Sequence, residues 1–295
     1  MIWVSWRQHR SQAIACLGLL AGLAAFAIAV GATMRTAAGA DGLTACLARS
    51  AGAGCPLSIS SFLDRFNTGV NVTAWALLIL IPGLTGVVVG APLLGRELET
   101  GTWRLAWSQA VPRTRWLVTR LVLACGGLVV LGAAMTAVLT WYRAPMDQVT
   151  GHFAYAFDYE GVVLTCYLLC AFAFGVLAGL LLRNSIGAMV AAFVPWAVIR
   201  GVVEAYVRPY HFEAPAHLRV SCAGGCSFST NAVPPYTGHV GDWQLSVVQQ
   251  GSHLVIAYQP ADRFWTFQFL EGGLFLVLAG TALGAAIWLL HRRTS

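Results

Sequence analysis

The sequence predicts an all-α membrane protein with six transmembrane helices and both termini in the cytoplasm. The 295-residue chain is 58% hydrophobic and only 10% charged, and its mean hydropathy of +0.69 is above the range of soluble domains. Six apolar runs reach about 20 residues, the length that crosses about 30 Å of hydrocarbon. The runs lack the alternation of a strand barrel, so helices, which satisfy their own backbone, are expected.

The six spans and their connections divide the chain into eleven segments. They are an N-terminal interfacial segment with span one (1–34), a first outer loop (35–71), span two (72–94), an inner segment (95–116), span three (117–141), an outer loop (142–160), span four (161–182), span five with an outer extension (185–208), an extracytoplasmic cap (209–263), span six (264–290) and a cytoplasmic tail (291–295).

The distribution of arginine predicts the orientation. All 18 basic residues are Arg, and the short inner segments and adjoining span ends hold ten of them, which is the positive-inside bias. Ten of the 12 acids fall on the outer side, so the basic balance indicates topology and does not predict a nucleic-acid partner. The first apolar run is longer than the 7–15 residues of a signal-peptide core. We therefore interpret it as a span, although Ala38-Gly39-Ala40 offers a cleavage site.

The absence of lysine excludes several kinds of site. A Walker ATP site needs a Lys to reach the phosphates, and Schiff-base chemistry needs a Lys amine. The predicted spans contain no His and little Ser, which disfavours an intramembrane protease. We expect no enzyme activity and no cofactor on this chain, so any ATP would be hydrolysed by a separate subunit.

Cysteine placement predicts two disulfides on the outer side. Cys46 and Cys55 share the first outer loop, and Cys222 and Cys226 share the cap, where oxidation is favoured. Free thiols are one alternative. A metal site is another, using three nearby histidines: His211, His217 and His239. Two alternating stretches around 249–252 predict a β-hairpin, so the cap is expected to be a small, disulfide-tied, β-containing loop.

Charged residues near the outer span ends are candidates for a pore or vestibule. Arg200 and Glu204 lie four residues apart, and Arg208 follows after four more, so all three share one helix face. Their ladder predicts either an exposed, salt-bridged helix extension or an outer vestibule lined by Arg200. Glu271 lies about two turns into span six, where an acid is costly unless paired or hydrated. We expect a pore role or a packing role for it.

The inner segment combines acids, arginines and tryptophans between two apolar spans. Thr100 or Thr102 can cap a following short helix, and Trp107 is the residue type that often anchors interfaces. Arginines here could serve topology alone. Acids at an inner membrane face do nothing for topology, so Glu97 and Glu99 favour a docking site for a partner.

The stretch GAPLLGRELETGTWRLAWSQAVPRTRWLVTRL resembles the coupling region of type-2 ABC exporter permeases, most closely those of actinobacteria. It has their acid-x-acid-x-Gly-Thr pattern, a short helix, and Pro and Arg before span three. YQPADRFWTFQFLEGGLFL is similar to their junction into span six. The resemblance implies contact with the ATPase by nine residues: Glu97, Glu99, Gly101, Thr102, Trp103, Arg104, Trp107, Arg113 and Arg115.

The resemblance implies the type-2 ABC exporter permease fold and an assembly in a cell membrane. Two permease copies, identical or different, would sit in lipid and pair with cytoplasmic ATPase subunits that hold ATP and Mg. The expected function is export of an amphiphilic or lipid-like substrate, because the spans are mostly Ala, Leu, Val and Gly. The alternative is a membrane sensor or scaffold that transports nothing and uses residues 209–263 as its receptor.

Overall fold

The computed structural model describes residues 2–50, 56–66, 69–100, 113–153, 156–221 and 241–292. Nine α-helices lie in these ranges: α1 (Ile2–Ala40), α2 (Leu43–Ser50), α3 (Pro56–Phe66), α4 (Gly69–Thr100), α5 (Arg113–Thr150), α6 (Val163–Leu182), α7 (Ser185–Val202), α8 (Arg208–Tyr210) and α9 (Phe264–Arg292). A π-helical turn, Val203–Val207, joins α7 to α8, and a 3-10 turn, Ala261–Arg263, precedes α9.

Within the described ranges, six helical segments are long and apolar enough to cross a membrane, in agreement with the predicted number of spans. Their bounds are Ile14–Ala40, Ile79–Arg96, Leu117–Thr150, Val163–Leu182, Ser185–Tyr210 and Ala261–Arg292. The third span is longer than expected because α5 continues through Pro145 to Thr150. Its last turns are held by burial of Tyr142, Met146 and Val149 against α1 and α3.

Helix α6 lies at the centre of the bundle. It is apolar on all sides, as expected of a fully surrounded helix, and packs against α4, α5, α7 and α9. Glycine allows α4 to approach closely: a Cβ on Gly86 or Gly90 would lie 2.4 or 2.3 Å from a backbone oxygen of α6. This is the small-residue packing expected of membrane helices. The backbones of α4 and α6 are therefore in direct contact.

A small antiparallel sheet covers one end of the bundle, which we call the sheet face. Its strands β1 (Ala216–Ser221), β2 (Trp243–Gln250) and β3 (His253–Gln259) are ordered β1-β3-β2. The hairpin of β2 and β3 lies where the alternating sequence predicts it, with Gly251 in the turn at φ +63°. Strand β1 was not predicted from the sequence.

Two contacts fix the sheet to the helix ends. Gly151, after α5, approaches Gly241 so closely that a Cβ on it would lie 2.0 Å from the Gly241 Cα. Gln259, at the end of β3, is fully buried and donates to the carbonyls of Pro209 and Glu213 at 3.0 and 2.9 Å. The sheet therefore holds the loop after α5 and the end of α8.

A side chain of α9 caps the first turn of α6. The carbonyl oxygen of Gln268 accepts from the amides of Val162 and Val163 at 3.2 and 3.1 Å, and its amide nitrogen donates to the Phe157 carbonyl at 2.7 Å. These bonds replace the local cap that α6 lacks. They also hold residues 156–162, the loop that carries Asp158.

Candidate functional site

Six polar side chains meet at the sheet face and form a charge network. They come from four parts of the chain: the loop before α6, α6 itself, the segment from α7 to α8, and α9. The members are Asp158, Tyr167, Arg200, Glu204, Arg208 and Glu271. Tyr167 and Glu271 are fully buried, and Arg200 and Arg208 are each 4% exposed.

Arg208 is the centre of the charge network. Its Nε and Nη2 donate to the two oxygens of Glu271 at 2.8 and 2.9 Å, a bidentate pairing. Nη2 also lies 2.6 Å from Asp158 Oδ1 and 3.1 Å from the Tyr167 hydroxyl. Tyr167 in turn donates to Glu271. One guanidinium thereby joins α8, α9, α6 and the preceding loop.

Arg200 extends the charge network along α7. Its Nη2 lies 3.1 Å from Asp158 Oδ2, and its Nη1 donates to Glu204 at 3.1 Å. Burial raises the pKa of Asp158, but the charges of Arg208 and Arg200 outweigh burial and lower that pKa to about 2. Asp158 is therefore an anion at neutral pH and bridges the two arginines.

The interpretation of Arg200 and Arg208 as an exposed helix extension is wrong. Both are buried, because their side of the helix faces α6 and α9, where Tyr167 and Glu271 supply partners. Only Glu204 keeps substantial solvent contact, with its side chain 40% exposed. Glu271 is paired as an intramembrane acid needs to be.

Sequence reasoning missed Asp158 and Tyr167 as members of this site. Tyr167 reads as one more aromatic in an apolar span, and Asp158 as an ordinary loop acid. One signal was available: an intramembrane acid such as Glu271 requires a cation, and Arg208 lies at the same end of the neighbouring span. That signal indicates the pair of Arg208 and Glu271, but it indicates neither Asp158 nor Tyr167.

One predicted coupling residue, Glu99, lies at the opposite end of the bundle. Glu99 is exposed in the last turn of α4, and its Oε2 accepts from the amide and hydroxyl of Ser185 at 3.4 and 3.2 Å. Ser185 begins α7, whose first turn is capped by Asn184. The end of α4 is therefore connected to the turn between α6 and α7.

The other coupling candidates are mostly outside what the structure describes. Arg115 is exposed in the first turn of α5. Gly101, Thr102, Trp103, Arg104 and Trp107 lie outside the described residues, as do the side chains of Glu97 and Arg113. The first part of the 95–116 segment continues α4 as far as Thr100. The docking role of these residues stays a prediction.

The predicted disulfides also stay predictions, since Cys55, Cys222 and Cys226 lie outside the described residues. The alternative of a metal site in the cap is also untested, because it needs those cysteines and His239, which lie outside the described residues. The four cysteines within the spans are free thiols: Cys16, Cys125, Cys166 and Cys170.

The family described as ABC-2 membrane transporter related matches residues 17–208, about two thirds of the chain. The chain belongs to this family. It is therefore a multi-pass membrane protein of the ABC-2 permease type, and such a permease subunit implies an ATPase partner. The match includes five spans and ends at Arg208, so the sheet and α9 lie beyond it. No curated protein and no solved structure matches the chain.

Proposed function

We propose that this ABC-2 permease exports an amphiphilic or lipid-like substrate across the cell membrane, driven by a separate ATPase that binds the 95–116 segment. The observation that carries the proposal is the bond between Glu99 and Ser185. It connects that segment, which has the acid and arginine pattern of a docking site, directly to α7.

The packing of the helices connects the 95–116 segment mechanically to the sheet face. A force on the end of α4 acts on α6, because their glycine-lined contact leaves no room to slide. It acts also on α7 through Ser185. At the sheet face, Arg200 and Arg208 connect the α7–α8 segment to α6 and α9. Movement of the 95–116 segment would thus be transmitted to the charge network.

In this proposal, the charge network keeps the outer end of the transport pathway closed. Its buried ion pairs hold the sheet-face ends of α6, the α7–α8 segment and α9 together, and Glu204 reaches solvent. ATP-driven closure of the ATPase pair would separate these helix ends and open the outer end of the pathway. The spans are apolar and could not solvate a highly charged cargo. An amphiphilic cargo suits them better.

Reconstitution tests this function. The permease and a candidate ABC ATPase subunit are placed in vesicles containing a fluorescent lipid or an amphiphilic dye, and ATP is added on the ATPase side. We expect ATP-dependent movement of the probe, abolished when the catalytic base of the ATPase is removed. ATP hydrolysis that responds to ligands of the cap but moves no probe would instead support the sensor or scaffold.

A further inference from the structure

A second polar cluster lies beside the charge network, at the turn that follows α5. Asp147 is in the last turn of α5, His152 follows the helix end, and Glu160 closes the loop before α6. Gly151, at φ +70°, ends the helix by donating its amide to the Asp147 carbonyl at 2.9 Å. This left-handed residue turns the chain so that His152 faces back towards Asp147.

The three side chains converge on one point. One ligand atom from each lies within 4.8 Å of the other two. The His152 Nδ1 is 2.7 Å from Glu160 Oε2 and 4.0 Å from Asp147 Oδ2. The donors of a tetrahedral zinc site with bonds of about 2.0–2.1 Å are about 3.4 Å apart. The two pairs that involve His152 therefore each differ from this spacing by less than an ångström, and the two carboxyl groups already lie within 4.8 Å of each other.

Two oxygens in the cluster are buried and have no hydrogen-bond partner. They are Asp147 Oδ2 and Glu160 Oε1, on residues that are 4% and 5% exposed. A desolvated carboxylate oxygen without a partner is costly. Both oxygens belong to carboxyl groups that approach the His152 ring, so a cation that binds Asp147 Oδ2 and chelates both oxygens of Glu160 would satisfy both.

Arg143 orients the first carboxylate without occupying the free oxygen. Its Nε and Nη2 lie 3.0 and 2.8 Å from Asp147 Oδ1, which leaves Oδ2 towards His152. Metal-ligating carboxylates are commonly held by such an outer bond. Metal ligation requires both carboxyl groups in the ionised form, and together with the Arg143 guanidinium they would then leave one net negative charge for a divalent cation to balance.

We propose that Asp147, His152 and Glu160 bind a divalent transition-metal cation, with Zn²⁺ the best match to one imidazole and two carboxylates. The His152 side chain is 58% exposed, so the ion would enter from solvent and keep water in its fourth position. The bound ion ties the end of α5 to the loop that carries Asp158. It would therefore brace the charge network from one side.

Zinc binding to the full-length chain tests the site. The protein, purified in detergent with a histidine-free tag, is stripped with EDTA and titrated with Zn²⁺ against a chromophoric chelator. We expect one tight zinc per chain, and at least about tenfold weaker binding in His152→Ala and Glu160→Gln, since even an outer partner of a ligand is worth 10–100-fold. The matched control is His253→Ala, which removes an exposed histidine of β3 and should bind as the original protein does.

A second readout separates ligation from folding. Zn²⁺ should raise the melting temperature of the original protein and of His253→Ala but not that of His152→Ala, whose exposed side chain can be removed without a cavity. Equal zinc binding by the original protein and His152→Ala would overturn the proposal and place the metal elsewhere. No tight zinc, or tight binding of Ca²⁺ alone, would overturn it as well.

Discussion

Replacing Arg208 by Met tests whether the buried charge network holds the helices together. Met keeps much of the length and the apolar stem of Arg but removes the guanidinium, and with it both bonds to Glu271 and those to Asp158 and Tyr167. Glu271 has no solvent contact, so its charge would be left uncompensated. Removing one partner of a buried ion pair costs about 3–5 kcal/mol, and we expect a loss of that size in the free energy of unfolding.

Two further variants give this prediction its controls. Glu204→Gln alters an ion pair whose acid is 40% exposed, so it should cost only about 0–1 kcal/mol. Arg208→Met combined with Glu271→Met replaces the buried pair by apolar groups. That double variant should recover most of the loss, because such replacements are often neutral.

The assay is denaturant unfolding of the purified protein in detergent, followed by tryptophan fluorescence. The expected order of stability is the original protein, then Glu204→Gln, then the double variant, with Arg208→Met last. If Arg208→Met is no less stable than Glu204→Gln, or if the double variant is less stable than Arg208→Met, the network does not carry the stabilisation assigned to it.

Two other predictions concern packing and pH. Gly90→Ala would place a Cβ 2.3 Å from the Phe172 carbonyl oxygen and should lower the unfolding free energy by about 1–3 kcal/mol through overpacking. Gly126→Ala is the control, because a Cβ there has nothing within 4 Å and should leave the unfolding free energy unchanged. Equal effects of the two variants would refute the close contact of α4 and α6. The pKa of Asp158 is lowered from 3.8 to about 2, so its stabilisation is complete above about pH 4 and is lost as the pH falls towards 2. Acid titration in EDTA should show this loss in the original protein and not in Asp158→Asn, and parallel curves would contradict it.

The spans could be predicted from the sequence because hydropathy and length are local properties. The end of α5 could not. Arg143, Pro145 and Asp147 end the apolar run, yet Arg143 and Asp147 pair one turn apart with side chains only 3% and 2% exposed. Neutralised in this way, they remain within the helix, and the neighbouring apolar side chains are buried by α1 and α3.

The charge network could be predicted only in part. Arg200, Glu204 and Glu271 are conspicuous because charges within spans are rare. Their burial depends on Asp158 and Tyr167, and Tyr167 meets Glu271 across 104 positions of the chain. The local sequence pattern around either residue does not indicate a contact between positions so far apart. The hairpin of β2 and β3 was predictable because its alternation and its turn are adjacent in the chain.

The central claim, that the 95–116 segment couples this permease to an ATPase, is tested most directly by co-purification. The permease is expressed with candidate ABC ATPase subunits and isolated in detergent, as the original protein and as three variants. They are Glu97→Arg combined with Glu99→Arg, Ser185→Ala, and Asp64→Arg as a charge-reversal control in α3.

Reversal of both acids should abolish retention of the ATPase, because charge complementarity selects the partner. Ser185→Ala removes one bond to Glu99 but leaves its charge, so it should retain the ATPase while lowering the ATP hydrolysis stimulated by the permease. Asp64→Arg should change neither. Full retention of the ATPase by the doubly reversed variant would contradict the account.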